Sequence, residues 1–370
     1  MMQPSPLRLG ARASGRFFGS DRYLAPRSAN HAPITPLGFF QRTAAVFPSR
    51  TAIVYDDWRV RNDPARAPAV RQTWAETSTR VTRLASALTA NGVARGDTVA
   101  VLSPNTPAFV ELHHGVNAAG GVLNPLNTRL DAGTLAYILG HSEAKVLFAD
   151  TALGPVAKAA VELLAAGGSA APLFVDLVDP VDSHHPPGLT AATAPRFGSL
   201  DYEDLMSGGD EAFAWVMPHD EWDAQALNYT SGTTGRPKGV LYSHRGAALN
   251  GMNEALVWGM PQHPSYLWTL PMFHCNGWCF PYTTTLMGGT HVCLRSVEPR
   301  AIFGAIRAAS VSHLCGAPVV MNMMVRRSNM QAAAVPPPSF PSEQLCEKHI
   351  GRSELVLTGH TCAHTCAHAR

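Results

Sequence analysis

A chain of 370 residues with 29 basic and 27 acidic side chains carries a formal net charge of +2, and only 15% of its residues are charged. That near-balance excludes a protein built mainly to neutralise a nucleic-acid backbone. Its 46% hydrophobic content, set in short blocks between Gly, Pro, Asn and Asp, excludes intrinsic disorder as the main description. No apolar run approaches the ~18 residues needed to cross a bilayer, and length alone allows two domains or one large α/β body.

The ends differ from the middle. Residues 1–30 hold Arg8, Arg12, Arg16, Arg22 and Arg27 against one acid, Asp21. This composition leaves two readings open, a mitochondrial or plastid transit segment and a disordered basic tail, with peroxisome or cytosol as the alternative compartments. All seven cysteines (Cys275, Cys279, Cys293, Cys315, Cys346, Cys362 and Cys366) lie in the last third. Their odd number fits a reducing compartment better than a disulfide framework. Beyond Val335 the chain runs through Pro336-Pro337-Pro338 to a tandem repeat, Thr361-Cys362-Ala363-His364-Thr365-Cys366-Ala367-His368. Soft ligands every fourth position could hold zinc. The reading adopted is a low-complexity tail over 336–370 with no metal site, since nothing nearby supplies a supporting shell.

Between these ends the elements follow in order. Thr73 with Glu76 three residues later is a capping-box signature; Val81, Leu84 and Leu88 follow at helical spacing, and Gly92 stops the helix. Asp97 to Leu102 reads as a buried strand closed by Ser103-Pro104-Asn105. A helix is expected over Pro107 to Ala119, then the apolar run Val122 to Pro125. A helix near Gly133 to Gly140, a strand over Lys145 to Ala149, a helix over Gly154 to Ala166 and a strand over Pro172 to Asp176 come next. Residues 178–200, rich in Pro, His, Ala and Thr, read as a surface linker. Strands alternating with helices imply an α/β fold, whose parallel sheets are covered on both faces and bind ligands beyond the carboxyl ends of strands.

One loop stands out. After the strand-like Ala226-Leu227-Asn228-Tyr229 come Thr230-Ser231-Gly232-Thr233-Thr234-Gly235-Arg236-Pro237-Lys238-Gly239-Val240, expected to run on into a helix. The hydroxyls offer donors, the glycines allow close backbone approach, and Lys238 adds a positive charge: the chemistry of a polyphosphate cradle. It is not a Walker A loop, because Pro237 stands where that motif needs Gly before its Lys.

Tyr229 to Val240 resembles the signature loop of the adenylate-forming enzymes, and Leu241 to Ala247 is similar to its continuation in plant and algal acyl-activating enzymes. Tyr266 to Cys279, with Phe273-His274-Cys275-Asn276-Gly277-Trp278, resembles the aromatic-histidine motif of acyl-CoA synthetases. Segments at Thr35 to Phe40, Ser103 to Ala108, Val122 to Leu130 and Val311 to Asn322 extend the resemblance over residues 31–335. It implies the large N-terminal adenylation domain of these enzymes, with parallel and mixed sheets flanked by helices. It also implies an activity: ATP with Mg²⁺ converts a short- or medium-chain or small aromatic carboxylic acid to an acyl-adenylate, and coenzyme A then displaces AMP. Thr230, Ser231, Gly232, Thr233, Thr234, Gly235 and Lys238 would hold the phosphates. His274, Cys275, Asn276, Gly277 and Trp278, with Gly316, Ala317 and Pro318, would border the acyl group and the coenzyme A path.

Other parts of the family pattern are not found. Segments that would contact adenine, Mg²⁺ and ribose have no match, and neither does the small C-terminal domain with its catalytic Lys. The resemblance therefore implies an acyl-CoA synthetase by descent whose 370 residues, as written, have little or no turnover. The alternative is a non-catalytic product that binds nucleotide, or a partner protein through an exposed sheet edge.

Overall fold

The computed structural model describes residues 27, 30–60, 68–230, 235–334 and 356–358. Residues up to Pro33 fall in a unit of their own, and the body begins at Ile34. In chain order its strands are β1 (Thr51–Tyr55), β2 (Val70–Thr73), β3 (Thr98–Leu102), β4 (Val122–Pro125), β5 (Val146–Asp150), β6 (Leu173–Leu177), β7 (Leu200–Asp201), β8 (Ala224–Thr230), β9 (Lys238–Ser243), β10 (Ser265–Leu267), β11 (Thr290–Val292), β12 (His313–Cys315) and β13 (Val356–Thr358). Among the described residues they form a six-stranded sheet, β13-β12-β10-β11-β1-β2, and a seven-stranded sheet, β7-β6-β5-β3-β4-β8-β9. Every pairing is parallel except those of the edge strands β2 and β9, which run antiparallel to β1 and β8.

Strand alternation sorts the core into layers, because successive side chains leave opposite faces of a sheet. In β3, Val99 and Val101 join the inner core while Ala100 and Leu102 join an outer one. In β5 the same split separates Val146 and Phe148 from Leu147 and Ala149. In the other sheet Ile53, Tyr55 and Tyr266 face inward, and Val54, Leu267 and Leu314 outward. The inner layer is filled by helices Pro36–Val46, Trp74–Ala90, Pro107–Ala118 and Phe280–Leu286. Helices Ala132–His141 and Gly154–Ala166 coat the seven-stranded sheet, and Pro299–Ala308 and Pro318–Ala334 coat the six-stranded one.

The expected elements match to within a residue or two. The capping box is closed: Thr73 Oγ1 accepts from Glu76 N–H at 3.2 Å, and Glu76 Oε2 accepts from Thr73 N–H at 2.7 Å. Val81, Leu84 and Leu88 of that helix are fully buried. Gly92 turns the chain with φ +85°, a region that only glycine enters cheaply.

Two expectations are corrected. The phosphate-type loop does not lead into a helix. It leads into β9, which pairs with β8 from Thr230↔Lys238 to Ala224↔Ser243 before a helix starts at His244. Residues 178–200, read as a surface linker, hold the buried Asp179 and Val181. The reason is one distant partner. Arg295 Nη1 donates to Asp179 Oδ2 at 2.7 Å and to Asp150 Oδ2 at 2.8 Å, and its Nη2 donates to Asp150 Oδ1 at 2.8 Å. The Tyr55 hydroxyl also donates to Asp179 Oδ2. Asp150 ends β5 and Asp179 follows β6, whereas Tyr55 and Arg295 belong to the other sheet, so the network ties the two sheets together at their strand ends.

Removing one partner of a buried ionic group strands the others without compensation. Arg295→Met is therefore expected to lower the unfolding free energy by about 3–5 kcal/mol, read as a drop in urea midpoint. A loss under about 1 kcal/mol would show that Asp150 and Asp179 do not depend on it.

Candidate functional site

The hairpin of β8 and β9 carries the first group of candidates. Thr230 is the last residue of β8 and Lys238 the first of β9; they are cross-strand partners and both are exposed. Ser231, Gly232, Thr233 and Thr234 lie outside the described residues. Gly235 has φ +142°, and a Cβ there would meet nothing within 4 Å. The hairpin is braced from the outer layer: Tyr229 Oη lies 2.7 Å from His141 Nδ1, and the Arg236 guanidinium sits 5.2 Å from the Tyr137 ring centroid. Because β9 intervenes, no helix N-terminus follows the loop directly. An anion held here would have Lys238 beside it but no helix dipole.

The second group leaves the six-stranded sheet. After β10 the chain is fixed by Asn105, whose Nδ2 donates to the carbonyls of Trp268 (2.8 Å) and Leu270 (2.9 Å) and whose Oδ1 accepts from Met272 N–H (2.8 Å). His274 follows, exposed, and then the backbone reverses hand. Cys275, Asn276, Gly277, Trp278 and Cys279 have φ of +44°, +48°, +58°, +54° and +63°. Left-handed geometry costs roughly 1–2 kcal/mol for each non-glycine residue, so the surroundings must hold this turn in place. Asn276 is buried with its side-chain amide 2.9 Å from His113 Nε2 and 3.4 Å from the Tyr282 hydroxyl. At Gly277 a Cβ would come within 3.2 Å of Trp268 Cζ3. Cys275 and Trp278 stay half-buried. Cys275, Cys279, Cys293 and Cys315 are in no disulfide.

The third group, Gly316, Ala317 and Pro318, follows β12, the parallel neighbour of β10. Gly316 is buried and the other two are exposed. Thr269 Oγ1 donates to the Cys315 carbonyl at 2.6 Å, so the two strand exits are tied together. The 274–279 turn also packs against β8, the strand that leads to Thr230. The structure thus gathers the second and third groups beyond the carboxyl ends of two adjacent strands and packs the 274–279 turn on the strand that leads to the first.

Sequence reading missed several residues here. His113 and Asn105 act from other elements and leave no local signal. Gln225 and Asn228 had one, as polar residues within a strand: both are buried, and no described group pairs with the Asn228 side-chain amide. A cavity of about 450 Å³ lies elsewhere, between Arg80, Thr106, Asp179, Arg196 and Tyr202, and none of the candidates line it. Among the described residues no cluster of three His, Cys, Asp or Glu could hold a metal, and no helix is long and apolar enough to cross a membrane. The Cys/His repeat of the tail lies outside the described residues.

A family model described as AMP-binding enzyme matches residues 40–357, and this chain belongs to that family. Its relatives are plant acyl-activating enzymes and CoA ligases. The chain is 40% identical over 334 residues to the 2-methylpropanoate–CoA ligase CCL4 of Humulus lupulus, covering 87% of this chain and 57% of that one. It is 40% identical over 311 residues to the peroxisomal benzoate–CoA ligase of Arabidopsis thaliana, covering 83% and 50%. The chain thus spans about half the length of the curated relatives it matches. Among solved structures, ATP-bound MatB from Rhodopseudomonas palustris superposes with a TM-score of 0.60 at 25% identity, covering 78% of this chain and 51% of that one. A long-chain-fatty-acid-CoA ligase (FadD1) from Archaeoglobus fulgidus shares the fold with a TM-score of 0.66 at 21% identity, covering 81% and 55%.

Buried imidazoles surround the turn. Burial holds His113 down at about 4 and His291 at about 3, and it holds His114 well below its ordinary value. His244, at the start of the helix after β9, is held at about 4 by the same desolvation. An unfolded histidine takes its proton near 6.5, so between there and 4 the unfolded chain binds more protons than the native one. Stability is then complete above about pH 6.5 and falls as pH drops, by about 1.4 kcal/mol per pH unit for each such histidine. Urea midpoints measured from pH 7.5 to 4.5 should decline steeply; a flat profile would refute the neutral buried state.

Proposed function

We propose that this chain carries the adenylate-forming site of an acyl-CoA synthetase acting on a short- or medium-chain or small aromatic carboxylic acid. The observation that carries this reading is the pairing of Thr230 with Lys238 at the mouth of a hairpin whose strand β8 packs on the His274 turn. Thr230 and Lys238, with Ser231 to Gly235 between them, would grip the β- and γ-phosphates of ATP. His274 to Trp278 and Gly316 to Pro318 would border the acyl group. In the first step a carboxylate oxygen bonds to the α-phosphorus as the bond to pyrophosphate breaks. Charge accumulates on the leaving pyrophosphate, where a fixed cation stabilises it. Mg²⁺, when bound with ATP, would add charge neutralisation at the phosphates. Coenzyme A thiol would then displace AMP. The acids named for the relatives, 2-methylpropanoate, acetate and benzoate, set the substrate range to try. The peroxisomal naming of three relatives makes the peroxisome the compartment to examine first.

A second reading is a chain that binds nucleotide or a partner protein without catalysis. It draws on the apolar side chains exposed along β9 and the helix that follows it, Leu241, Leu249, Leu256 and Val257.

ATP–pyrophosphate exchange separates the two. The first reading expects exchange that depends on one of these acids, slow because the segments contacting adenine and ribose in the family pattern have no match here. ATP binding without acid-dependent exchange for any acid would favour the second, and absence of both would sink the site. Lys238→Ala is expected to reduce exchange by about 10²–10³-fold, the usual effect of losing one fixed charge-stabilising donor. An unchanged rate would remove Lys238 from the phosphate grip.

A further inference from the structure

The left-handed turn needs something to hold it, and the holding group comes from a different element. His113 lies on helix Pro107–Ala118 and is fully buried. Its Nδ1 sits 2.7 Å from the Phe109 carbonyl, which can only accept, so Nδ1 carries a proton, and its Nε2 faces Asn276 Oδ1 at 2.9 Å. Asn276 Nδ2 donates to the Tyr282 hydroxyl at 3.4 Å. Gln225 Nε2 donates to that hydroxyl and, at 2.7 Å, to Asn117 Oδ1. Burial depresses His113 to about 4, and a neutral imidazole protonated at Nδ1 meets a donor when the Asn276 amide is rotated by 180°.

We propose that His113 is a positioning residue: it touches no reacting group, but through Asn276 it fixes the reversed turn and so decides where His274 and Trp278 stand. The inference rests on the reading of that turn as the border of the acyl pocket. It also makes a claim independent of activity, that the turn opens when the His113–Asn276 link is lost.

Cys279 reports on the opening. It is 5% exposed, and burial pushes its thiol up to about 11, so it reacts slowly while the turn is closed. His113→Ala should raise the alkylation rate of Cys279, followed by peptide mass spectrometry, at least tenfold. It should raise KM for the acid about tenfold and leave KM for ATP unchanged. His113→Gln, which keeps a polar group near the Nε2 position, should restore part of both. Because a removed core histidine can cost the fold, Asn276→Gly supplies the same loss of the link from the other side, with a residue that accepts positive φ. The same rise at Cys279 is expected there. Wild-type Cys279 rates in folded His113→Ala and Asn276→Gly would overturn the proposal. If the parent chain shows no acid-dependent exchange, the pocket reading fails while the alkylation rates still decide whether His113 holds the turn.

Discussion

The constraint on which the rest depends is that both sheets must bury both faces. Parallel strands present apolar side chains above and below, so each sheet needs two covers. Here the two sheets share one: helices Pro36–Val46, Trp74–Ala90, Pro107–Ala118 and Phe280–Leu286 serve as the inner face of both. Sharing a layer fixes the sheets relative to each other. A slip of one residue in β3 or β5 would move Val99 or Phe148 out of the common core and bring Ala100 or Leu147 in. Arg295 adds a polar tie at the strand ends, where the apolar layer gives way to loops.

The same shared layer explains where the candidate residues come together. Phe280–Leu286 begins directly after the reversed turn, and Pro107–Ala118 supplies His113 from the facing side. The turn is therefore built into the inner layer rather than laid over it, and its one firmly exposed member, His274, emerges at the rim. β8, from the other sheet, packs on the turn and ends at Thr230.

Much of this was legible in the sequence because local chemistry wrote it there. The Thr73-Glu76 capping box, the uninterrupted Thr98–Leu102 strand and the Gly154–Ala166 helix depend on neighbours within a few residues, and the structure has them where spacing puts them. What escaped depends on partners far along the chain. Asp179 looks like any loop acid until Arg295 arrives from 116 positions away. The strand identity of Lys238–Ser243 comes from pairing with β8, since a six-residue stretch of mixed apolar and polar residues could begin a helix equally well. The phosphate-type loop was visible as a run of residue types, but the hairpin that carries it was not. The left-handed turn left only Asn276 and Gly277 as hints, since Trp and Cys rarely adopt positive φ.

The reversed hand of that turn has a geometrical consequence. Around its axis Asn276 and Cys279 face the interior, while Cys275 and Trp278, three apart, share the more open side. Wound in the ordinary sense about the same buried asparagine, these five residues would present the mirror arrangement, with the indole on the opposite flank. The contour offered beside His274 is thus chiral at the level of the main chain. Exchanging Trp278 for another side chain would change how far that wall extends, but only the backbone decides on which side it stands.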